Sequence, residues 1–460
     1  MAELPLTEDA TDAVPLHLIA EQDFDAWRAG RSDTEQAWLA STGFRAKGGT
    51  TTPLAAPDGG LAAMLAGLAA DADLWDLAGL ARTLPGGTYV LASAADAEAR
   101  QRLALAWALG GYAFDRYLET PTPPAARLVW PDGVDRAEVG RIAEYTYTGR
   151  DLINTPASDM GPEALAYAGQ ALAKGHGADC RIIVGDDLLA EGYPAVHAVG
   201  RAAAVEPRLI DFTWGDATAP KLTLVGKGVC FDTGGLDLKG AAGMKLMKKD
   251  MGGGAHALAV AGMIMDAGLP VRLRVLVPAV ENSVAGNAMR PLDILETRLG
   301  LSVEVTNTDA EGRLILADAL TDAASEKPDA IIDFATLTGA RAIALGEEVP
   351  ALYANDDELA ETVLAAARAV EDPLWRMPLW QPYRRKLKSK AADLLNSPES
   401  RFGGSITAAL FLERFVTPAC PWVHIDQTAW ISRGRPGRAE GGEMMGARAV
   451  FEALRRRYGG

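Results

Sequence analysis

From about residue 150 onward, short apolar runs alternate with stretches in which apolar residues recur every three or four positions. The runs predict strands at Arg181–Val184, Lys221–Val225, Val271–Val277 and Ala330–Ala335. The longer pattern predicts helices at Pro162–Lys174, Gly253–Ala267, Leu314–Ser325 and Glu358–Val370. Continuously apolar strands separated by amphipathic helices imply a mostly parallel sheet with helices on both faces. The expected fold class is therefore α/β, with a C-terminal domain built on such a sheet and a smaller α/β N-terminal domain. Ligands of such sheets bind beyond the carboxyl ends of the strands. Polar segments just past predicted strands are thus the places to look for chemistry.

The first 120 residues have a different texture, rich in Ala, Leu and Trp. The turn signal Pro85-Gly86-Gly87 precedes a predicted strand, Thr88–Ala92, and a helical pattern runs from Asp96 to about Tyr117. No polar constellation is visible there. The Pro-rich stretch Thr120–Ala126 cannot continue a helix and reads as a stiff linker, after which Asp135–Thr146 reads as a connecting helix. The expected division is an N-terminal domain at 1–126, a linker with its helix at 127–149, and the main domain at 150–460.

Composition narrows the function classes. Lys and Arg number 45 against 61 Asp and Glu, a net charge of −16 that disfavours a nucleic-acid partner. The one dense basic cluster, Arg384–Lys390, reads as a solvated helix face. Cys180, Cys230 and Cys420 are far apart and match no CxxC spacing, which fits a reducing compartment. The start, MAELPLTEDA, is acidic and lacks the apolar core of a signal peptide. No run approaches the ~18 apolar residues of a membrane span. A cytoplasmic location without a membrane partner is expected.

Three segments carry candidate chemistry. In Val225–Lys239, VGKGVCFDTGGLDLK, a strand ends in a Gly-rich loop holding Lys227, Asp232 and Lys239. It could cradle a phosphate, hold a metal through Asp232, or only satisfy its own backbone. In Met244–Gly254, MKLMKKDMGGG, Asp250 stands before a glycine run that opens a helix, where an Asp is most often a cap. In Asn307–Leu314, NTDAEGRL, Asp309 and Glu311 would share one side of an extended stretch, with Arg313 two residues on. Taken alone, that segment reads as a capping arrangement with a salt bridge. Together the segments supply four carboxylates, which balance two divalent cations, while Lys239 and Arg313 remain as cationic groups for a developing oxyanion. That composition suits a two-metal hydrolytic site. The five histidines form no ligand-like pair, so a mainly oxygen-ligated site is expected, suited to Mn²⁺ or Mg²⁺ and tolerant of Zn²⁺.

These segments, in this order, resemble the signatures of the leucyl aminopeptidase family, the M17 metallopeptidases. Asn154–Met160 (NTPASDM), Ala335–Ala340 (ATLTGA), Gly403–Phe415 (GGSITAALFLERF) and His424–Trp430 (HIDQTAW) add to the resemblance, which runs from about 150 to the C-terminus. Before that it is carried only by Tyr112–Tyr117 (YAFDRY). The resemblance implies a catalytic C-terminal domain with two divalent metals per subunit. Asp232 and Glu311 would bridge them, Asp309 would complete one site, and Lys227, as a neutral amine, would complete the other with Asp250. It implies Lys239 and Arg313 as catalytic residues, with a bicarbonate at Arg313 as general base. Met247, Asn307, Thr336 and Leu337 would line the substrate site. The implied activity is release of N-terminal residues, of leucine type among others, from short peptides by a hydroxide bridging the metals. The implied assembly is a homohexamer, a dimer of trimers with inward-facing sites. The chain departs from the family in a short N-terminal region, in Gln427 where an apolar residue is usual, and in the tail Arg435–Val450. A dimetal phosphoesterase is the rival enzyme, but NTDAEGRL lends it nothing. The net charge disfavours the DNA-binding role that some bacterial members of the family carry.

Overall fold

Strands whose side chains all enter a core need apolar residues at every position, and Ala330–Ala335 (AIIDFA) is buried at all six. It lies in the middle of a nine-stranded sheet in the computed structural model, which describes residues 3–56, 58–122, 125–416 and 420–459. The chain divides into two units, Met1–Tyr147 with Ser432–Glu440, and Thr148–Ile431 with Gly441–Gly460. The helix Arg136–Asn154 begins in the first and ends in the second.

In the first unit, six strands run in the order Leu6–Thr7, Arg127–Val129, Thr88–Leu91, Val14–Ala20, Leu61–Leu68, Thr51–Ala55, all parallel except the last pair. Helices Leu74–Thr83 and Ala97–Gly110 supply much of its core, including the fully buried Trp107, whose Nε1 donates to the Ala126 carbonyl at 2.7 Å. The helix expected to reach Tyr117 ends at Gly110, where a Gly-Gly pair removes the intrinsic drive to continue. Segment 127–149, read as linker and helix, holds the strand Arg127–Val129 and most of the helix Arg136–Asn154. Residues 1, 2, 123 and 124, which belong to the acidic start and the Pro-rich stretch, lie outside the described residues.

In the second unit the sheet order is Trp375–Arg376, Ala351–Ala354, Trp422–Asp426, Ala330–Ala335, Lys221–Gly226, Arg272–Asn282, Arg208–Trp214, Asp179–Val184. The strand Gly228–Asp232 pairs with the far end of Arg272–Asn282. The four central strands are parallel and the flanking Arg208–Trp214 and Ala351–Ala354 antiparallel, so the sheet is largely parallel as the apolar runs predicted. The helix Gly252–Asp266 (GGGAHALAVAGMIMD) is apolar around its whole circumference and buried along nearly all of it. One end of the sheet thus gathers Lys227, Asp232, Asn282, Thr336 and Asp426, each at or just past the carboxyl end of a parallel strand. No helix among the described residues is long and apolar enough to cross a membrane.

Candidate active site

Lys227 stands where the chain leaves the strand Lys221–Gly226, its backbone N–H donating to the Phe334 carbonyl at 3.0 Å. Its side chain is buried, with Nζ 2.7 Å from Asp250 Oδ2, 2.9 Å from Glu311 Oε1 and 3.1 Å from the Thr336 carbonyl. Glycine at 312 is what admits it, because a Cβ there would fall 2.4 Å from Lys227 Cε. Asp250 sits in the 3-10 turn Met247–Met251 and is not the cap of the helix that follows; the N-cap is Met251. Its Oδ1 accepts the Thr336 hydroxyl at 2.7 Å and its Oδ2 faces Lys227.

Asp232 closes the strand Gly228–Asp232. Its Oδ1 accepts from Gly234 N–H at 2.9 Å and from Asn282 Nδ2 at 2.8 Å, while Oδ2 lies 2.7 Å from Lys239 Nζ. Lys239 also pairs with Asp309. The geometry expected for Asp309 and Glu311 needs correcting. They do not share a side of an extended stretch: Asp309 lies in a turn, its N–H donating to Asn307 Oδ1 at 2.9 Å, and Glu311 has helical backbone angles ahead of the helix Gly312–Ser325. The turn still brings ligand atoms of Asp232, Asp309 and Glu311 within 4.8 Å of one another.

These carboxylates repel. Burial, then the charge of Asp232, raises Glu311 to about 8, and the same two causes raise Asp309. Burial raises Asp250 as well, against the pull of Lys227. Such a cluster stays ionised only where cations offset it. Asp250 Oδ2 and Glu311 Oε1 are buried, and among the described residues both rely on the one Lys227 ammonium, at 2.7 and 2.9 Å. Buried carboxylate oxygens that share a single amine fit divalent cations better than they fit a closed network of hydrogen bonds.

Arg313 lies apart from the cluster. Its Nη1 donates to the Asn396 carbonyl at 2.7 Å, while its Nε is buried with no hydrogen-bond partner among the described residues; burial lowers its pKa to about 10. It borders a cavity of ≈ 870 Å³ that Lys239, Asn307 and Leu337 also line. A second cavity of ≈ 510 Å³ reaches Lys227, Asp232, Asp250, Met247 and Thr336. The structure therefore gathers Lys227, Asp232, Lys239, Asp250, Asp309 and Glu311 in one cluster. Met247 and Thr336 line the smaller cavity, Asn307 and Arg313 the larger, and Leu337 both.

Residues that the sequence reading passed over support this arrangement. Asp426 accepts from Leu337 N–H at 3.0 Å and Thr338 N–H at 3.2 Å. Asn396 accepts from Thr306 N–H at 2.8 Å and donates to the Asn307 carbonyl at 2.7 Å. Each acts across some 90 residues of chain, so no local spacing could reveal it.

Residues 147–451 match the model of the cytosol aminopeptidase family catalytic domain, and 14–131 that of the M17 aminopeptidase N-terminal domain. A probable cytosol aminopeptidase of Syntrophotalea carbinolica is 42% identical over 365 residues, covering 75% of this chain and 73% of the relative. Its counterpart in Prochlorococcus marinus is 44% identical over 338 residues, 72% and 69% of the two chains. The crystal structure of the cytosol aminopeptidase from Coxiella burnetii superposes with a TM-score of 0.95 at 47% identity over 99% of both chains. The bottromycin maturation enzyme BotP in complex with Mn does so with a TM-score of 0.87 at 34% identity, over 96% of this chain and 99% of that one.

Proposed function

Because the chain belongs to the cytosol aminopeptidase family, and so to the metal-dependent aminopeptidases, we propose that it cleaves the N-terminal peptide bond of short peptides at two divalent cations. The observation that carries this reading is the cluster of four converging carboxylates, three of them buried, with only Lys227 and Lys239 among them to offset their charge. Asp232 and Glu311 would hold both ions, Asp309 one, and Lys227 with Asp250 the other. The donor set suits Mn²⁺ or Mg²⁺ and tolerates Zn²⁺, and BotP is described with Mn. When bound, the ions would supply a nucleophilic water acidified toward neutral pH and Lewis acidity at the scissile carbonyl.

The chain's own groups do the rest. Asp250, on the smaller cavity, would accept a hydrogen bond from a free α-amine, which would make a peptide N-terminus a requirement. Lys239, held by Asp232 and Asp309, presents a fixed positive charge to the carbonyl oxygen as it becomes an oxyanion. Arg313, with Nη1 on the Asn396 carbonyl, borders the larger cavity and would hold a bicarbonate there, which would supply a general base. Met247, the Thr336 methyl and Leu337 offer apolar surface to the stem of the first residue's side chain, and beyond them the pocket turns polar. Asn307, on the larger cavity, faces the remainder of the peptide. A cytoplasmic homohexamer with enclosed sites would restrict substrates to short or unfolded chains. Metal analysis of the purified protein, chelation, and add-back of Mn²⁺, Zn²⁺ or Mg²⁺ with a panel of aminoacyl amides test the proposal. Two ions per chain and metal-restored cleavage are expected; one ion, or endopeptidase activity, would refute it. Light scattering tests the hexamer, which a stable monomer would exclude.

A further inference from the structure

The smaller cavity ends in charge that hydrolysis does not require. We propose that this pocket selects peptides whose first residue is acidic, glutamate or aspartate, and that Lys249 is its specificity-determining cation. The proposal rests on the aminopeptidase reading of the site.

Lys249 lies in the turn Met247–Met251, one residue before Asp250 and two after Met247, and all three line the cavity of ≈ 510 Å³. Asp250 marks where the substrate's α-amine sits, so a side chain leaving the neighbouring carbon enters beside Met247 and meets Lys249. The two consecutive lysines differ in what they touch. Lys248 Nζ donates to the Asn154 carbonyl at 2.5 Å and lies 5.4 Å from the Trp430 ring centre. The ammonium of Lys249, though part-buried, has no hydrogen bond or ion pair among the described residues. Arg341 borders the same cavity. It is 1% exposed, with Nη1 on the Gly346 carbonyl at 2.7 Å, Nη2 on the Thr428 hydroxyl, and Nε buried without a hydrogen-bond partner among the described residues. Gln427 and Thr428 keep the far wall polar.

Charge decides the ligand. Two divalent cations would offset Asp232, Asp250, Asp309 and Glu311, and Asp426 offsets one of the two charges of Lys249 and Arg341, so the pocket still meets an incoming side chain with net positive charge. An aliphatic side chain would seal an unpaired ammonium away from water, which is unfavourable. A basic one would be repelled. An amide matches glutamate in shape and can accept a hydrogen bond but leaves the charge unbalanced. A carboxylate does both, and such charge-assisted bonds are about twice as strong as neutral ones.

The test compares dipeptides with Glu, Asp, Gln or Leu at the first position, using Mn-loaded wild type, Lys249→Met and Lys249→Arg, each with its metal content measured. The wild type should favour Glu over Gln by roughly 10–100-fold in kcat/KM. Lys249→Met should bring that ratio close to one, and Lys249→Arg should preserve most of it. Calorimetric binding of free glutamate and leucine to the same proteins gives a readout independent of turnover, with glutamate tighter in the wild type alone among wild type and Lys249→Met. A wild type that prefers Leu, or a Glu-to-Gln ratio unmoved in Lys249→Met, overturns the proposal and leaves the aminopeptidase reading intact. Failure to cleave any of the four peptides with two ions bound strikes that reading instead, and the calorimetric comparison still decides what the pocket binds.

Discussion

Gly312→Ala is the sharpest probe of the metal cluster, because two effects of opposite sign meet there. Alanine in place of glycine near the start of a helix ordinarily adds up to about 1 kcal/mol of stability. Here the new Cβ would lie 2.4 Å from Lys227 Cε, 2.6 Å from Nζ and 2.7 Å from Cδ. Carbon atoms settle at ~3.5–4.0 Å, so the lysine tip must retreat by about 1 Å. It is enclosed: Asp250, Glu311 and the Thr336 carbonyl stand 2.7, 2.9 and 3.1 Å from Nζ. Overpacking of this kind costs about 1–3 kcal/mol, which leaves a net loss of roughly 0–2 kcal/mol once the helix gain is counted. The larger effect falls on the metals, because the group that moves is itself a proposed ligand. Even outer-shell partners are worth about 10–100-fold in metal affinity, and the loss here should be no smaller. Mn²⁺ titration calorimetry on stripped protein, beside a denaturant midpoint, measures both effects. Gly253→Ala is the contrast, since its Cβ would fall 2.1 Å from the Phe334 carbonyl oxygen, where backbone cannot retreat and stability should suffer first. If Gly312→Ala gains about 1 kcal/mol and binds both ions as the wild type does, Lys227 is not a metal ligand and the reasoning fails.

Lys239→Ala should keep both ions and lose about 10²–10³ in kcat, as removal of one oxyanion-stabilising group does; Asp232→Ala should lose metal and activity together. Recovery of Lys239→Ala by excess Mn²⁺ would make that lysine a support of the metals. His256 predicts an acid-side loss of stability. Burial lowers its pKa from 6.5 to about 4, and it is held neutral, with Nδ1 2.6 Å from the Gly252 carbonyl and Nε2 accepting from Met445 N–H at 2.8 Å. The unfolded chain therefore takes up a proton below pH 6.5 that the native state refuses until about 4. The stabilisation is complete above that window and lost as pH falls through it, by up to about 3 kcal/mol. Denaturant midpoints of metal-stripped wild type and His256→Gln at pH 7.5 and 4.5 check this, and equal pH dependence in the two proteins would dismiss it.

The strand at Ala330–Ala335 was legible to the residue, and the helix at Pro162–Gly175 to within one, because an apolar run and a proline at a helix start are local signals. The strand Trp422–Asp426 (WVHID) was not singled out. Its His and Asp interrupt the apolar run and are tolerable in the core only because partners lie far along the chain: His424 Nδ1 is 2.6 Å from Asp333, and Asp426 accepts from Leu337 and Thr338. The candidate site divides in the same way. Residue types and order were enough to nominate Asp232, Asp250, Asp309 and Glu311 together, since four carboxylates demand cations wherever they meet. Asp250 resembled a cap only when its segment was taken alone; the fold shows it set against Lys227, and Asp309 and Glu311 converge through a turn where an extended stretch was expected. In the pair Lys248-Lys249 the sequence offers no means of telling one side chain from the other. The carbonyl of Asn154, 94 residues away, takes up Lys248 and leaves Lys249 for the cavity. Propensity and periodicity act over a few residues, so the chain could announce its strands and helices one at a time. Which buried polar atoms find partners depends on contacts made only when distant segments meet, and that was decided by the tertiary structure alone.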